Sequence, residues 1–184
     1  MRTLKLFLAL SIAILTSSVS GTAQSYASNE TVSSQTIERQ AYKKIRYLPY
    51  YDVFDNITVS VSGSTVTLGG KVHSLSTRKQ AERVVKNIAG VTGVINNIDD
   101  LPPSPMDDRI RRAAYATFVN RGPGQYFSDL NPDVRIIVEN GRITLEGFVV
   151  RKSDSNTLNI LANGLSGVFE VTNNIVVGRD SRRS

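Results

Sequence analysis

Apolar residues along positions 37–101 follow two spacings, one typical of helices and one typical of strands. Residues three and four apart lie on one face of a helix. The first such stripe consists of Ile37, Ala41, Ile45 and Leu48, and the second of Ala81, Val84, Val85 and Ile88. Pro49 ends the first helix, because proline cannot continue its hydrogen-bond ladder. Gly90 follows the second helix in a position favoured for a left-handed cap.

Between these stripes the pattern changes to alternation. Residues 57–61 and 66–72 alternate apolar and polar side chains on either side of Ser62-Gly63-Ser64, which predicts a β-hairpin. A last strand is predicted for residues 91–101. The order of this unit is therefore α-β-β-α-β.

The unit occurs twice in the chain. Residues 134–175 match residues 57–98 at a constant offset of 77, with 12 of 42 positions identical. The identical pairs include Gly70/Gly147, Gly90/Gly167, Asn96/Asn173 and Ile98/Ile175. Upstream, Ile37, Ala41 and Tyr42 match Ile110, Ala114 and Tyr115 at an offset of 73. The sequence predicts an α+β protein of two tandem units, repeat 1 (37–101) and repeat 2 (105–178), each a small three-stranded sheet packed against two helices.

The flanking segments differ in composition from the repeats. Residues 1–23 have a basic start, an apolar stretch and small residues before a cleavage site near Ala23, as in a secretory signal peptide. The apolar stretch is shorter than the roughly 18 residues that span a bilayer. Residues 24–36 are polar and predicted to be a disordered linker, and residues 179–184 form a basic tail. We therefore expect an exported, periplasmic protein without a transmembrane segment in its mature chain.

Charge and composition exclude several functions. The chain has no cysteine, which excludes disulfides, thiolate metal sites and lipid attachment at cysteine. Its net charge of +6 lies mostly on the signal, repeat 1 and the tail. This excess is small for a protein that binds nucleic acid through charge, and the chain lacks the Gly-x-x-Gly clamp of one RNA-binding class. We expect no nucleic-acid partner.

The hairpin motif Val-x-x-Ser/Gly-x-Val/Ile-Thr-Leu-x-Gly-x-Val, followed by Gly-Val-x-x-Val-x-Asn-Asn-Ile, resembles the BON domain. A signal peptide followed by two such domains is similar to the osmotically inducible periplasmic proteins of bacteria. The resemblance implies a non-enzymatic role in envelope maintenance under stress, contact with anionic phospholipid and, in some members, a chaperone-like activity. The chain lacks the lipobox cysteine of lipoprotein relatives, so the resemblance implies no membrane anchor.

Few residues could carry chemistry. His73 is the only histidine, and a catalytic triad needs a histidine oriented between a nucleophile and a carboxylate. The pairs Asp99-Asp100 and Asp107-Asp108 could bind a cation, but a helix start accounts for the second pair. We expect no enzyme activity, cofactor or metal.

Six of the repeated residues are expected to have structural roles, among them Gly90 and its counterpart Gly167. Asn96 and Asn173 are expected to pin the last strand to a loop or helix end, with a ligand contact as the alternative. Gly70 and Gly147 are expected to mark the close approach of a helix or a bend in the strand.

The exposed helix faces supply the candidate contact residues. In repeat 1 the positions opposite the core stripes are Arg39, Lys43 and Arg46, with Tyr42 alongside, and Lys79, Arg83 and Lys86. Anionic headgroups would offset the mutual repulsion of such a cluster; a plain solvated face is the alternative. In repeat 2 the candidates are Arg112, Tyr115, Val119 and Ile160. Ile160 alternatively packs against the other repeat.

These features predict an exported binding protein that contacts anionic phospholipid at the bacterial envelope and supports envelope integrity under osmotic stress. Repeat 1 would supply the electrostatic attraction and repeat 2 the apolar contacts. The rival prediction is a periplasmic chaperone or adaptor. It would bind envelope or client proteins through exposed strand edges and the loop 121–132, which contains Tyr126 and Phe127.

Overall fold

Residues 23–127 and 132–178 are described by the structure, a computed structural model. The signal segment up to residue 22, residues 128–131 of the predicted binding loop and the basic tail 179–184 lie outside the described residues. No helix within the described ranges is long and apolar enough to cross a membrane.

Repeat 1 has the predicted order of elements. It consists of α1 (Ala23–Arg46), β1 (Asn56–Ser62), β2 (Thr65–Val72), α2 (Leu75–Lys86), β3 (Gly93–Asn96) and β4 (Asp99–Asp100). β1 and β2 form the antiparallel hairpin. β3 and β4 both pair with β2 in parallel, so the last strand is interrupted at residues 97 and 98.

Repeat 2 has the same plan with an uninterrupted last strand. It consists of α3 (Pro105–Arg121), a short 3-10 helix (Gly124–Tyr126), β5 (Val134–Glu139), β6 (Arg142–Val149), α4 (Lys152–Asn163) and β7 (Glu170–Val177). The sheet order is β5-β6-β7, with β5 antiparallel and β7 parallel to β6. The prediction of two tandem α-β-β-α-β units is confirmed.

Two local predictions differ from the structure. Residues 24–36, predicted to be disordered, belong to α1, which begins at Ala23. The sequence has neither glycine nor proline between Thr22 and Leu48, and serine and threonine each lower helix stability by only about 0.5 kcal/mol. Gly90 does not cap α2, because the helix ends at Lys86 and Asn87 is its C-cap. Gly90 lies in the following turn with φ of +89°.

Each pair of helices packs on one face of its own sheet. All four residues of the first predicted stripe, Ile37, Ala41, Ile45 and Leu48, are buried in the core of repeat 1. The core of repeat 2 includes Ile110, Ala114 and Phe118 of α3 and Leu158 and Ala162 of α4. It also includes Val53, which belongs to repeat 1.

Val53 lies in residues 51–55, here called the joint loop, which is part of the segment between α1 and β1 of repeat 1 and contacts repeat 2. The Val53 carbonyl oxygen accepts a hydrogen bond from the Ile136 amide of β5 at 2.8 Å. The Asp52 carbonyl oxygen accepts one from Nη1 of Arg135 at 2.6 Å, and the Arg135 guanidinium lies 4.4 Å from the ring centroid of Tyr51. The joint loop therefore occupies the free edge of β5.

The acidic pairs take part in intramolecular contacts. Asp107 is buried at the start of α3, where its carboxylate accepts hydrogen bonds from the Gly141 and Asn140 amides of the β5–β6 turn. Asp100 pairs with Arg78 at 3.0 Å. Asp108 pairs with Arg111 at 2.6 Å. In the described part of the chain, no group of three or more His, Cys, Asp or Glu side chains could hold a metal ion.

Candidate functional site

A groove of about 810 Å³ runs between α1 and α2 on the outer surface of repeat 1. Each helix turns its apolar stripe to the sheet, and the side chains that flank this stripe face the groove. Its lining consists of Gln40, Lys43, Lys44, Tyr47, Leu48, Pro49, Gln80, Arg83 and Val84. The groove thus joins cationic side chains to apolar ones.

The side chains of the groove include an exposed aromatic ring. Tyr47 is 74% exposed, Val84 is half-buried and Leu48 is buried against the core. A large exposed ring beside a half-buried apolar surface suits contact with an amphipathic ligand or an interface.

Within the described part of the chain, the cations of the groove have no acidic partner. Lys43, Lys44 and Arg83 are exposed. None of the three forms an ion pair with another described side chain. Three uncompensated positive charges around one concave surface attract an anionic group.

Only two of the predicted cationic residues of repeat 1 line the groove. Lys43 and Arg83 line the groove, whereas Arg39, Lys79 and Lys86 are exposed on the same helices without lining it. Arg46 is half-buried, and its Nε is buried without a hydrogen-bond partner among the described residues.

The sequence reasoning missed Lys44. It considered only the positions opposite the core stripe, whereas Lys44 is next to the buried Ile45 and flanks the stripe. Its spacing of four residues from Gln40 and three from Tyr47 is the signal that could have identified it.

Tyr42 is a structural residue and not an exposed contact. It is half-buried, and its hydroxyl accepts a hydrogen bond from the Val59 amide of β1 at 3.1 Å. The hydroxyl of Tyr51 accepts one from the Ile57 amide at 3.2 Å. Both tyrosines therefore satisfy backbone donors of the edge strand β1, a role that helix periodicity alone does not indicate.

Repeat 2 has a surface with a single charge where repeat 1 has its groove. The positions that match the groove residues in the sequence are Ala113, Ala116, Thr117, Asn120, Arg121, Gly122, Thr157, Ile160 and Leu161. Ile160 is 70% exposed, so the alternative that it packs against repeat 1 is wrong. Only Arg121, at the end of α3, is charged.

The other candidates on α3 have different environments. Arg112 is exposed, and Val119 is 38% exposed. Tyr115 is half-buried against the core of repeat 2, with its ring edge-on to Phe54 of the joint loop at 6.4 Å. Tyr115 therefore belongs to the contact between the repeats and not to an outer face.

The repeated asparagines pin the last strand of each repeat to its second helix. Nδ2 of Asn96 donates to the Arg78 carbonyl oxygen and to Glu82 of α2. Nδ2 of Asn173 donates to the carbonyl oxygen and Oγ of Ser155 in α4, at 3.2 and 3.1 Å. In both repeats the amide oxygen accepts from the backbone amide two residues later. These contacts give Asn96 and Asn173 a structural role.

The repeated glycines lie where neighbouring chain segments come close. Gly70 and Gly147 have φ of +100° and +119°. The residue that approaches each of them is Asn56, the first residue of β1, and Asp133, which immediately precedes β5. Gly167, the counterpart of Gly90, has φ of +82° in the turn after α4.

His73 bridges the two repeats. Its amide donates to Oδ1 of Asp55 at 2.6 Å, and its Nε2 lies 3.4 Å from Oδ1 of Asp108 on α3. Its ring therefore contacts a carboxylate at the joint between the repeats.

Comparison with known proteins identifies a family. The family model described as BON domain matches residues 33–99 and 107–179. Among solved structures, the C-terminal domain of CdsD, the structural protein of the type III secretion system of Chlamydia trachomatis, is 13% identical, with a TM-score of 0.32. That match covers 76% of this chain and 96% of the CdsD chain. A second CdsD structure is 12% identical over 78% of this chain and 93% of its own, also with a TM-score of 0.32. The search of curated proteins gave no match.

Proposed function

This chain belongs to the BON domain family, with two copies of the domain in tandem, and on that premise we propose that it is a peripheral binding protein for anionic phospholipid. The binding site is the groove between α1 and α2. The protein is exported to the periplasm, after cleavage of a signal peptide near Ala23, and supports envelope integrity under osmotic stress. It has no catalytic role.

The observation that carries this proposal is the composition of the groove. Lys43, Lys44 and Arg83 surround an apolar surface without acidic partners among the described side chains. A phospholipid presents a phosphate beside glycerol and acyl carbons. The three cations would contact the phosphate, while Tyr47 and Val84 would contact the carbon atoms beneath it.

Cationic side chains outside the groove would attract an anionic membrane to the same surface of repeat 1. Arg39, Lys79 and Lys86 are exposed on the same two helices. Each basic residue near an anionic membrane contributes about 1 kcal/mol, and the attraction falls off within about 8 Å at physiological salt. Binding is therefore weak, reversible and sensitive to salt.

The rival function, capture of extended client segments, has less support at the sheet edges formed by β1 and β5. Strand addition needs free backbone donors at a sheet edge. The Ile57 and Val59 amides of β1 donate to tyrosine hydroxyls, and the Ile136 amide of β5 donates to Val53. Tyr126 and Phe127 of the predicted binding loop are buried. A chaperone or adaptor role is the outcome that remains if vesicles are not bound.

We expect the chain from Gln24 onward to sediment with vesicles that contain phosphatidylglycerol and not with vesicles of phosphatidylcholine alone. Raising the salt concentration from about 0.05 M to about 0.15 M should weaken binding roughly tenfold, because screening removes part of the attraction of several cations. Co-sedimentation at both salt concentrations measures this. Equal binding to neutral vesicles, or binding that salt does not change, would contradict the electrostatic site.

A further inference from the structure

A second concave surface lies between the two sheets, on the faces that carry no helices. It is a cleft of about 380 Å³, and clefts that hold small ligands measure about 300–1,000 Å³. β1 and β2 of repeat 1 form one wall, and β5, β6 and β7 of repeat 2 form the other. The cleft shares no lining residue with the groove between α1 and α2, so it is a separate candidate site.

Strand alternation turns the side chains of the cleft away from the cores. Ile143 and Leu145 of β6 are buried in the core of repeat 2, whereas Thr144 and Glu146 of the same strand line the cleft. Ile137 of β5 also lines the cleft, yet it is only 6% exposed and belongs to neither core. It is therefore buried where the helix-free face of repeat 2 meets repeat 1, and it gives the cleft an apolar base between polar walls.

The charged side chains that line the cleft are held by partners. Lys71 of repeat 1 pairs with Glu139 of repeat 2. Nε of Arg142 lies 3.1 Å from Oε2 of Glu170, and Glu146 accepts a hydrogen bond from an asparagine of β7 at 2.8 Å. Two cations and three carboxylates leave a single net negative charge. The cleft therefore offers fixed donors and acceptors without the strong net charge that attracts an ionic ligand.

Threonine side chains add hydroxyl and methyl groups to both walls. Thr58 of β1, Thr144 of β6 and Thr172 of β7 line the cleft, and Thr144 and Thr172 are neighbours in the register of β6 and β7. Each hydroxyl can donate one hydrogen bond and accept others, while the methyl group beside it is apolar. The threonines therefore suit a ligand that has hydroxyl groups next to C–H groups.

The sheet of repeat 1 forms without the charged residues that repeat 2 contributes to the cleft. At the offset of 77, the residues that match Glu139, Arg142, Glu146 and Glu170 are Ser62, Thr65, Gly69 and Gly93. Both repeats nevertheless have the same hairpin and the same parallel last strand. The fold of a repeat therefore does not require this charged set, which leaves recognition of a ligand as a reason for its presence in the cleft.

We propose that this cleft binds a small neutral saccharide. A sugar ring presents adjacent hydroxyl groups around apolar C–H faces. A carboxylate beside a guanidinium, as in Glu170 and Arg142, accepts from one hydroxyl and donates to the next. Ile137 and the threonine methyl groups contact the C–H faces. A peptide fits less well, because the walls are sheet faces whose backbone donors and acceptors are used in the strand ladders.

Titration of the chain from Gln24 with maltose, cellobiose and diacetylchitobiose tests the site with disaccharides that differ in linkage and in N-acetyl groups. At least one should shift the backbone amide resonances of Thr58, Thr144 and Thr172 in NMR spectra, with a Kd of about 1 mM or lower. The amides of Lys43 and Arg83, in the groove between α1 and α2, should not shift. If none of the three sugars shifts the cleft amides at up to about 20 mM, the proposal is overturned. If trialanine shifts them as strongly as the best sugar, the ligand class is wrong.

Thr144→Val tests a single residue of the cleft, because valine keeps the shape of threonine and removes the hydroxyl. It should weaken binding of the best sugar about fivefold. The matched control is Thr67→Val, at the counterpart in the sheet of repeat 1, which does not line the cleft and should leave the Kd unchanged. Glu146→Gln should weaken binding about tenfold or more, since a hydrogen bond to a charged acceptor contributes more. Unchanged binding in both Thr144→Val and Glu146→Gln, or an equal loss in Thr67→Val, would reject the cleft as the site.

Discussion

Replacing Lys43, Lys44 and Arg83 by glutamate is expected to abolish binding to phosphatidylglycerol vesicles. Each replacement removes an attraction of about 1 kcal/mol and adds a repulsion of similar size. The triple variant should bind at least 100-fold more weakly, after allowance for imperfect additivity. The three side chains are exposed and unpaired among the described residues, so the fold should remain intact. Co-sedimentation at low salt measures the loss of binding, and circular dichroism checks that the variant is folded.

A matched control separates the groove from bulk charge. Arg109, Arg121 and Lys152 are exposed in repeat 2, and their replacement by glutamate changes the net charge equally. This variant should retain most of its binding. A third variant, with glutamate at Arg39, Lys79 and Lys86, should lose less than the groove variant, because these residues do not line the groove. If all three variants lose binding equally, only net charge matters; if the groove variant binds normally, the groove is not the site.

Hydrophobic periodicity was sufficient to predict the fold. Two copies of the same stripes and the same hairpin favour an arrangement in which helices cover one face of a short sheet. Finer features depend on more than local sequence. Asn-Asn-Ile occurs in both last strands, yet the strand of repeat 1 is interrupted there and that of repeat 2 is continuous.

The candidate site was predicted only in part, and the errors have one cause. Helix periodicity separates core from non-core positions, but it does not identify what else packs beside a helix. Tyr42 contacts the edge of β1, and Tyr115 contacts Phe54, 61 positions earlier in the chain. For the same reason, helix periodicity did not indicate the contact between the repeats, where Arg135 donates a hydrogen bond to the Asp52 carbonyl oxygen. Such pairings follow from the arrangement of the two repeats, which the sequence pattern does not contain.

Gly147→Ala is expected to destabilise repeat 2 by about 3 kcal/mol or more. Gly147 has φ of +119°, a backbone conformation that residues with a Cβ rarely adopt. A Cβ at this position would lie 2.0 Å from the Asp133 carbonyl oxygen. Backbone strain costs about 1–3 kcal/mol, and the forced displacement of a packed strand costs a similar amount. Urea unfolding monitored by circular dichroism measures the loss in the free energy of unfolding.

The control for this change is Gly164→Ala in the same repeat. Gly164 is the C-cap of α4 with φ of −85°, and the nearest atom to an added Cβ would be 3.6 Å away. Its substitution should change stability by less than about 1 kcal/mol, because alanine adopts this conformation without strain. Gly70→Ala should repeat the large loss in repeat 1, where the Cβ would lie 2.1 Å from the Asn56 carbonyl oxygen. A loss below about 1 kcal/mol in both large-effect variants would mean that the chain at Asn56 and at Asp133 moves aside easily. Glycine would then not be structurally required at positions 70 and 147.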